Sequence, residues 1–156
     1  HFPFMGTTLK LQAHEGLSES CIENDVLFLK LKPGDQPSQL KPAFENWLKQ
    51  EARRYIPAFA EQKAQQLGIS DKIASFRFSK TKSKWGSCSP DGKLQFNWLI
   101  MLSPLEVIHY LVCHEVCHLL QMNHSPAFWQ LLGSIHPDYK TSKSWLKQNG
   151  HRLWID

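Results

Sequence analysis

The chain has 156 residues, 42% of them hydrophobic and 21% charged, with a formal net charge of +4. That length suits one domain with a real core, and the composition is that of an ordinary soluble globular protein. No apolar run is long enough to span a bilayer, His1 to Met5 lack the charged start and apolar core of a secretory signal, and the mild positive charge permits anionic partners without requiring them.

The N-terminal part reads as strands. LKLQ (9–12), SCIE (20–23) and VLFLKLK (26–32) alternate or run apolar, with EGLS and END as turns between them. KPGDQPS (32–38) is rich in Pro and Gly and marks a boundary. Residues 1–36 are therefore expected to form a β-rich segment packed on a main domain, residues 37–156. A helix is predicted from about Gln39 to Leu67, with Phe44, Trp47, Leu48 and Tyr55 at helical spacing. Pro57 should kink or divide it, and Gly68 should stop it.

From Lys72 to Trp98 the chain returns to strands. IASFRFS (73–79) and GKLQFNW (92–98) alternate, and SPDG (89–92) is the turn before the second strand. Within WGSCS (85–89), Ser87 and Cys88 read as a short polar turn, Trp85 as a core anchor and Gly86 as a close-approach position. Ser103, Pro104 and Glu106 carry helix-start signals. The segment from Leu105 to Met122 is apolar almost all round, which predicts a helix in the middle of the domain, ended by a left-handed Asn123. Ser125-Pro126 starts another helix through Phe128, Trp129, Leu132 and Ile135, and His136-Pro137 ends it. A last short helix runs through Trp145, and HRLWID (151–156) is expected to close the fold as a strand. The four cysteines, Cys21, Cys88, Cys113 and Cys117, show no disulfide framework, which favours a reducing cytoplasm.

The chemistry lies in HEVCHLLQMNH (114–124). His114 and His118 are four apart and stack on one helix face, where one ion can reach both. Glu115 is rotated by about 100° from His114. It is badly placed to ligate the same ion but well placed to reach water beside it. Two ligands plus a carboxylate base is the pattern of a metallohydrolase. Catalytic zinc sites usually take three protein ligands, and His124 is the third candidate once the chain turns after the helix. An isolated HExxH also arises by chance, and buried histidines are often core residues with one satisfied hydrogen bond. Here the motif sits in the most apolar helix, where an unpaired Glu115 would be costly, and a third ligand follows. One zinc per chain is the expectation. Cys113 and Cys117 read as small packing residues beside the site rather than as ligands.

WGSCS, HEVCH and NHSPAFW (123–129), in this order, resemble the YgjP-like metallopeptidase domain family, a relative of the zincin-type SprT and WLM domains. The resemblance covers roughly Gln39 to Tyr139. It implies an α+β zincin-like fold: a small, twisted, mostly antiparallel sheet packed on the HExxH helix, with helices around it. It implies zinc on His114, His118 and His124, with Glu115 as the base. It also suggests GKLQFNW as the strand bordering the cleft, where an edge strand can pair with an extended peptide. The spacing from His118 to His124 also matches the metzincins, but Gln121 stands where they have Gly. A Met-turn is missing too, because Met5, Met101 and Met122 all precede His124.

The leading expectation is a zinc-dependent peptidase acting on a peptide or protein. His136 and Tyr139, which follow the third ligand, and Asn97 are candidates for oxyanion or substrate contacts, although helix-end roles are the plainer reading of His136 and Tyr139. The alternative is a zinc-dependent hydrolase of nucleotides or other phosphate esters, or a protease of nucleic-acid-bound proteins. Its support is the basic segment 72–90, with Arg77, Lys80, Lys82 and Lys84 and interleaved aromatic residues. On an extended strand Lys80, Lys82 and Lys84 would share one face. A solvated strand face is the simpler account, and no phosphate-binding Gly-rich loop is present. Cys88 as a nucleophile is unnecessary where metal-activated water is available.

Overall fold

A computed structural model describes residues 1–81 and 83–153. The α+β class holds, but the strands fall into two small sheets. The first is built from β1 (Phe2–Phe4), β2 (Thr7–Glu15), β3 (Cys21–Glu23) and β4 (Val26–Leu31), in the order β1-β2-β4-β3. β2 and β4 are parallel, and the outer pairings are antiparallel. END closes the β3–β4 hairpin as expected. Asn24 and Asp25 both have positive φ, at 51° and 61°, as a two-residue turn matched to strand twist requires. Along β4 the inward residues Leu27 and Leu29 are buried.

The long helix α1 (Leu40–Gln66) follows. It runs unbroken through Pro57, where a kink or division was expected. The carbonyl that loses its partner belongs to Arg53, on the exposed face, where water can satisfy it. The buried stripe of Trp47, Leu48, Ala52, Ile56, Ala60 and Ala64 meanwhile packs on both sides of the proline. Gly68 stops the helix, with φ 72°. Its N–H donates to Gln65 O at 3.0 Å and the N–H of Ile69 to Ala64 O at 2.8 Å, the paired bonds of a Schellman end.

The second sheet has the order β5-β7-β6, from β5 (Ser75–Ser79), β6 (Gly86–Cys88) and β7 (Lys93–Asn97). β5 pairs parallel to β7, and β6 antiparallel to it. Two expectations change here. WGSCS is not a turn: its middle three residues are the edge strand β6, joined to β7 through the SPDG turn. GKLQFNW is not an edge: β7 lies in the middle of the sheet, paired on both sides, so it cannot receive a peptide strand.

The helix α2 spans Leu105–Cys117 and is followed by α3 (Pro126–Ile135) and α4 (Tyr139–Asn149). Ser103 does not cap α2. Its hydroxyl donates to Ile100 O at 2.6 Å, and Pro104 occupies the cap position. α2 also ends five residues before the expected Met122. Leu119 N and Leu120 N bond to the carbonyls three residues back, so the last turn tightens and the chain leaves the helix. Asn123 is not among the residues with positive φ. Ser125 does cap α3, accepting from Phe128 N. HRL forms a tight 3-10 turn with Gly150 rather than a strand, and Trp154 to Asp156 lie outside the described residues.

One hydrophobic core joins the parts. Leu9, Leu27 and Leu29 of the first sheet pack in the same cluster as Leu94 and Phe96 of the second and Ile108 and Val112 of α2. A smaller cluster, with Cys113, Cys117, Phe128 and Leu132, seals α2 against α3. Among the described residues no helix is long and apolar enough to cross a membrane.

Candidate metal centre

α2 is buried because both the second sheet and α3 pack on it, and this fixes which of its residues face inward. Cys113 and Cys117 point into the apolar seam with α3 and are fully buried. There burial pushes both thiols up to about 12. They lie outside the histidine cluster and serve as packing, as expected.

His114 is in the last turn of α2, and His118 is its C-cap. The early end of the helix is what allows His124 to return. The three Nε2 atoms form a nearly equilateral triangle, with sides of 3.2 Å (His114–His118), 3.2 Å (His114–His124) and 3.1 Å (His118–His124). A tetrahedral zinc with Zn–N of about 2.0–2.1 Å sets its nitrogens roughly 3.3 Å apart, so the triangle fits that ion. The protonation pattern fits as well. His118 Nδ1–H donates to Gln121 O at 2.9 Å, which leaves Nε2 as a bare lone pair. His114 Nδ1 faces the Tyr110 hydroxyl at 3.4 Å, freeing its Nε2 in the same way. The lone pairs of His114 and His118 converge on His124 Nε2, where a cation would relieve their repulsion. Burial, with His118 and His124 adding to it, drives His114 down to about 3, and burial lowers His118. Both shifts favour the neutral ring at His114 and His118, the form a metal ligand must take.

Aromatic rings pack around the three histidines. Phe128 stacks on His118 at 4.6 Å between centroids, and Trp129 lies 5.6 Å from the His124 ring. The Ser125-Pro126 start of α3 delivers both rings to the site immediately after His124.

Glu115 is 4% exposed. No protein group hydrogen-bonds to its carboxylate among the described residues. Burial raises it to about 8, against the pull of Lys84. The edge strand β6 lies against it: a Cβ on Gly86 would stand 2.9 Å from Glu115 Oε2. Only glycine leaves that carboxylate room.

The other candidates scatter. Asn97 is buried, but its side chain is committed to the fold, accepting from Leu99 N at 3.0 Å and donating to Thr81 O at 2.8 Å. His136 is the C-cap of α3 and contacts Ser142 Oγ at 3.4 Å, and burial lowers it. Tyr139 stacks on Trp129 at 5.4 Å, one ring removed from the ligands. Among the described residues Arg77, Lys80 and Lys84 are not brought together on one strand. β5 ends at Ser79, before the lysines begin. Arg77 lines a groove on the second sheet with Lys93. Lys80 pairs with Glu45 at 3.3 Å, Lys84 is exposed beside Trp85 and Tyr110, and Lys82 lies outside the described residues. Among the described residues nothing supports the shared basic face expected for a nucleotide or nucleic acid. Two contributors went unread in the sequence, Tyr110 and Phe128 as a ring on His118, whereas Gly86 was expected as a close-approach position without its partner Glu115. Tyr110 was within reach, because a residue four before a helical ligand shares its face.

This helix, sheet and histidine arrangement belongs to the metallopeptidases. Two solved metallopeptidase zymogens share the fold. Abylysin of Pyrococcus abyssi superposes with a TM-score of 0.52 at 19% identity, over 60% of this chain and 93% of its own. Jannalysin of Methanocaldococcus jannaschii has a TM-score of 0.52 at 21% identity, over 60% and 94%. No curated protein matches. The model of the YgjP-like metallopeptidase domain matches residues 1–149. The chain belongs to that family and is a metallohydrolase of the peptidase class, with a peptide or protein as its substrate.

Proposed function

We propose that the protein is a zinc peptidase in which His114, His118 and His124 hold one ion and Glu115 is the general base. The observation that carries this is the triangle of Nε2 atoms at 3.1–3.2 Å with a buried carboxylate one residue from its first corner. When bound, zinc supplies Lewis acidity that acidifies water and polarises a carbonyl. Glu115 takes the proton from the attacking water and returns it to the departing amine nitrogen. Burial strips water from that carboxylate and Gly86 sets its position. β6 offers a free strand edge beside Glu115, where an extended peptide can be held by main-chain hydrogen bonds. The four free thiols suit a reducing compartment such as the cytoplasm.

The test is metal content together with turnover. Elemental analysis should find one zinc per chain in the native protein and in Glu115→Gln, and little in His124→Ala. Glu115→Gln should cut peptide cleavage by about 10²–10⁴-fold. A Glu115→Gln variant that cleaves at the native rate would remove the base from the scheme.

A further inference from the structure

A cleft of about 400 Å³ opens beside the metal ligands, between the segment leading into β6, α2 and α4. Trp85 and Tyr110 line it together with Lys84, Lys143, Lys147 and His151. Among the described residues no acidic side chain lines it. Lys143 and Lys147 are four apart on α4 and therefore project from one face. Lys84, Lys143 and Lys147 are exposed, and none of them makes an ion pair among the described residues. The larger surface depression beside α1 differs in this respect. Its lining mixes Glu19, Asp35 and Glu51 with Lys30, Lys32 and Arg54, so its charges balance.

The cleft adjoins the reaction centre. Its wall residue Tyr110 reaches His114 at 3.4 Å. Lys143 Nζ lies 4.4 Å from the Trp129 ring, which in turn lies 5.6 Å from the His124 ring. Lys84 and Trp85 run directly into Gly86, which touches Glu115. A peptide lying along the free edge of β6 would pass Glu115 and then meet these cations within a residue or two. Three exposed lysines with no ion-pair partner among the described residues favour an anion, and planar carboxylates are the anions a peptide carries.

We propose that the cleft formed by Lys84, Lys143 and Lys147 is a substrate subsite for a carboxylate, either an acidic side chain near the scissile bond or the peptide C-terminus. The inference rests on the peptidase reading above and deepens it to a substrate class.

The test uses quenched fluorogenic peptides that differ at one position, Asp or Asn, scanned along the sequence. Each is made with a free and with an amidated C-terminus. The zinc-loaded native protein should cleave the Asp peptide about five- to tenfold faster in kcat/KM at one register, or prefer the free C-terminus by a similar factor. That ratio should collapse toward one in Lys143→Ala/Lys147→Ala. In Lys143→Glu it should invert in favour of a Lys-bearing peptide. The same peptides are titrated by fluorescence anisotropy onto zinc-loaded Glu115→Gln, so that recognition is read without turnover. Cleavage with equal Asp and Asn rates and no C-terminal preference, or a preference that survives the double variant, overturns the subsite and leaves the peptidase reading standing. Selective binding without any cleavage by the native protein keeps the carboxylate subsite and overturns the peptidase reading. Neither cleavage nor selective binding overturns both.

Discussion

The two sheets are built to one plan. In each, a first strand is followed by a hairpin whose second strand lies in the middle, parallel to the first strand, with the hairpin's other strand at the edge: β2, β4, β3 and β5, β7, β6. Only the second sheet reaches the metal centre. The difference lies in the edge strand. β3 is exposed at all three residues, and its Ile22 is 42% exposed. β6 is half-buried because it leans on α2, and its first residue is a glycine against Glu115. The same topology thus yields a solvated edge in one case and a wall of the reaction centre in the other, according to what the edge packs against.

The comparison is most exposed to a matched pair of substitutions. Gly86→Val places a branched side chain where Glu115 Oε2 leaves only 2.9 Å. Displacing that carboxylate by about an ångström should cut kcat/KM on the order of a hundredfold. Cys21→Val, at the first position of β3, should leave peptide hydrolysis within about twofold, because surface changes away from special features cost little. Equal losses in the two variants would mean that the edge strands are not distinguished by their neighbours. The complementary change is Leu27→Ala in the first sheet, where the side chain is fully buried. It should lower stability by about 2–5 kcal/mol in denaturant titration. Its kcat/KM per folded molecule, below the unfolding transition, should stay near the native value.

These contrasts explain what could be read from the chain in advance. The histidine cluster was legible because helical spacing puts His114 and His118 on one face whatever they pack against, and Ser125-Pro126 is a local start signal. α1 and its glycine stop were legible for the same reason. β6 was not, because Gly-Ser-Cys carries no alternation of its own, and its strand character comes from pairing with β7 and packing on α2. The central place of β7 was hidden for a related reason: strand order follows from the parallel pairing to β5, which leaves no mark in the sequence. The early end of α2 was also invisible, because apolar residues continue through Leu119 and Leu120 while the return of His124 draws the chain away. Asn97 looked available only because its two backbone partners, Leu99 and Thr81, could not be foreseen.

A smaller effect separates the ligands from their supports. Tyr110→Phe removes the acceptor for His114 Nδ1–H, a contact of 3.4 Å that is long for a hydrogen bond. Zinc affinity in a competitive chelator titration should fall by about tenfold, the low end for such a partner. Tyr110 lies on the side of α2 that neither edge strand of the first sheet touches, so Cys21→Val should leave that affinity unchanged. An unaltered affinity in Tyr110→Phe would mean that the ring orientation of His114 is set by Phe128 and Trp129 alone.

The weakest effect should be common to both sheets, since both lean on α1. α1 meets α2 at His109, whose Nε2 hydrogen-bonds with the Tyr55 hydroxyl at 2.6 Å while its ring stacks on Phe59 at 4.0 Å. Burial lowers His109 below its ordinary value, with Glu106 opposing and His136 and Lys63 reinforcing the shift. The folded state therefore prefers the neutral ring. As pH falls through the unfolded value of about 6.5, the unfolded chain takes up the proton first. The contribution is complete above that pH and is lost as pH falls toward the folded value. His109→Gln keeps an acceptor for Tyr55 and removes the titration. Thermal melts of the zinc-loaded proteins at pH 8 and pH 5.5 should show a larger drop for the native chain than for the variant, by about a few degrees. Other groups titrate in the same range, so the quantity that matters is the difference between the two drops. Hydrogen exchange should show the acid weakening in β2 and β7 alike. If it were confined to one sheet, α1 would not be the support that the two sheets share.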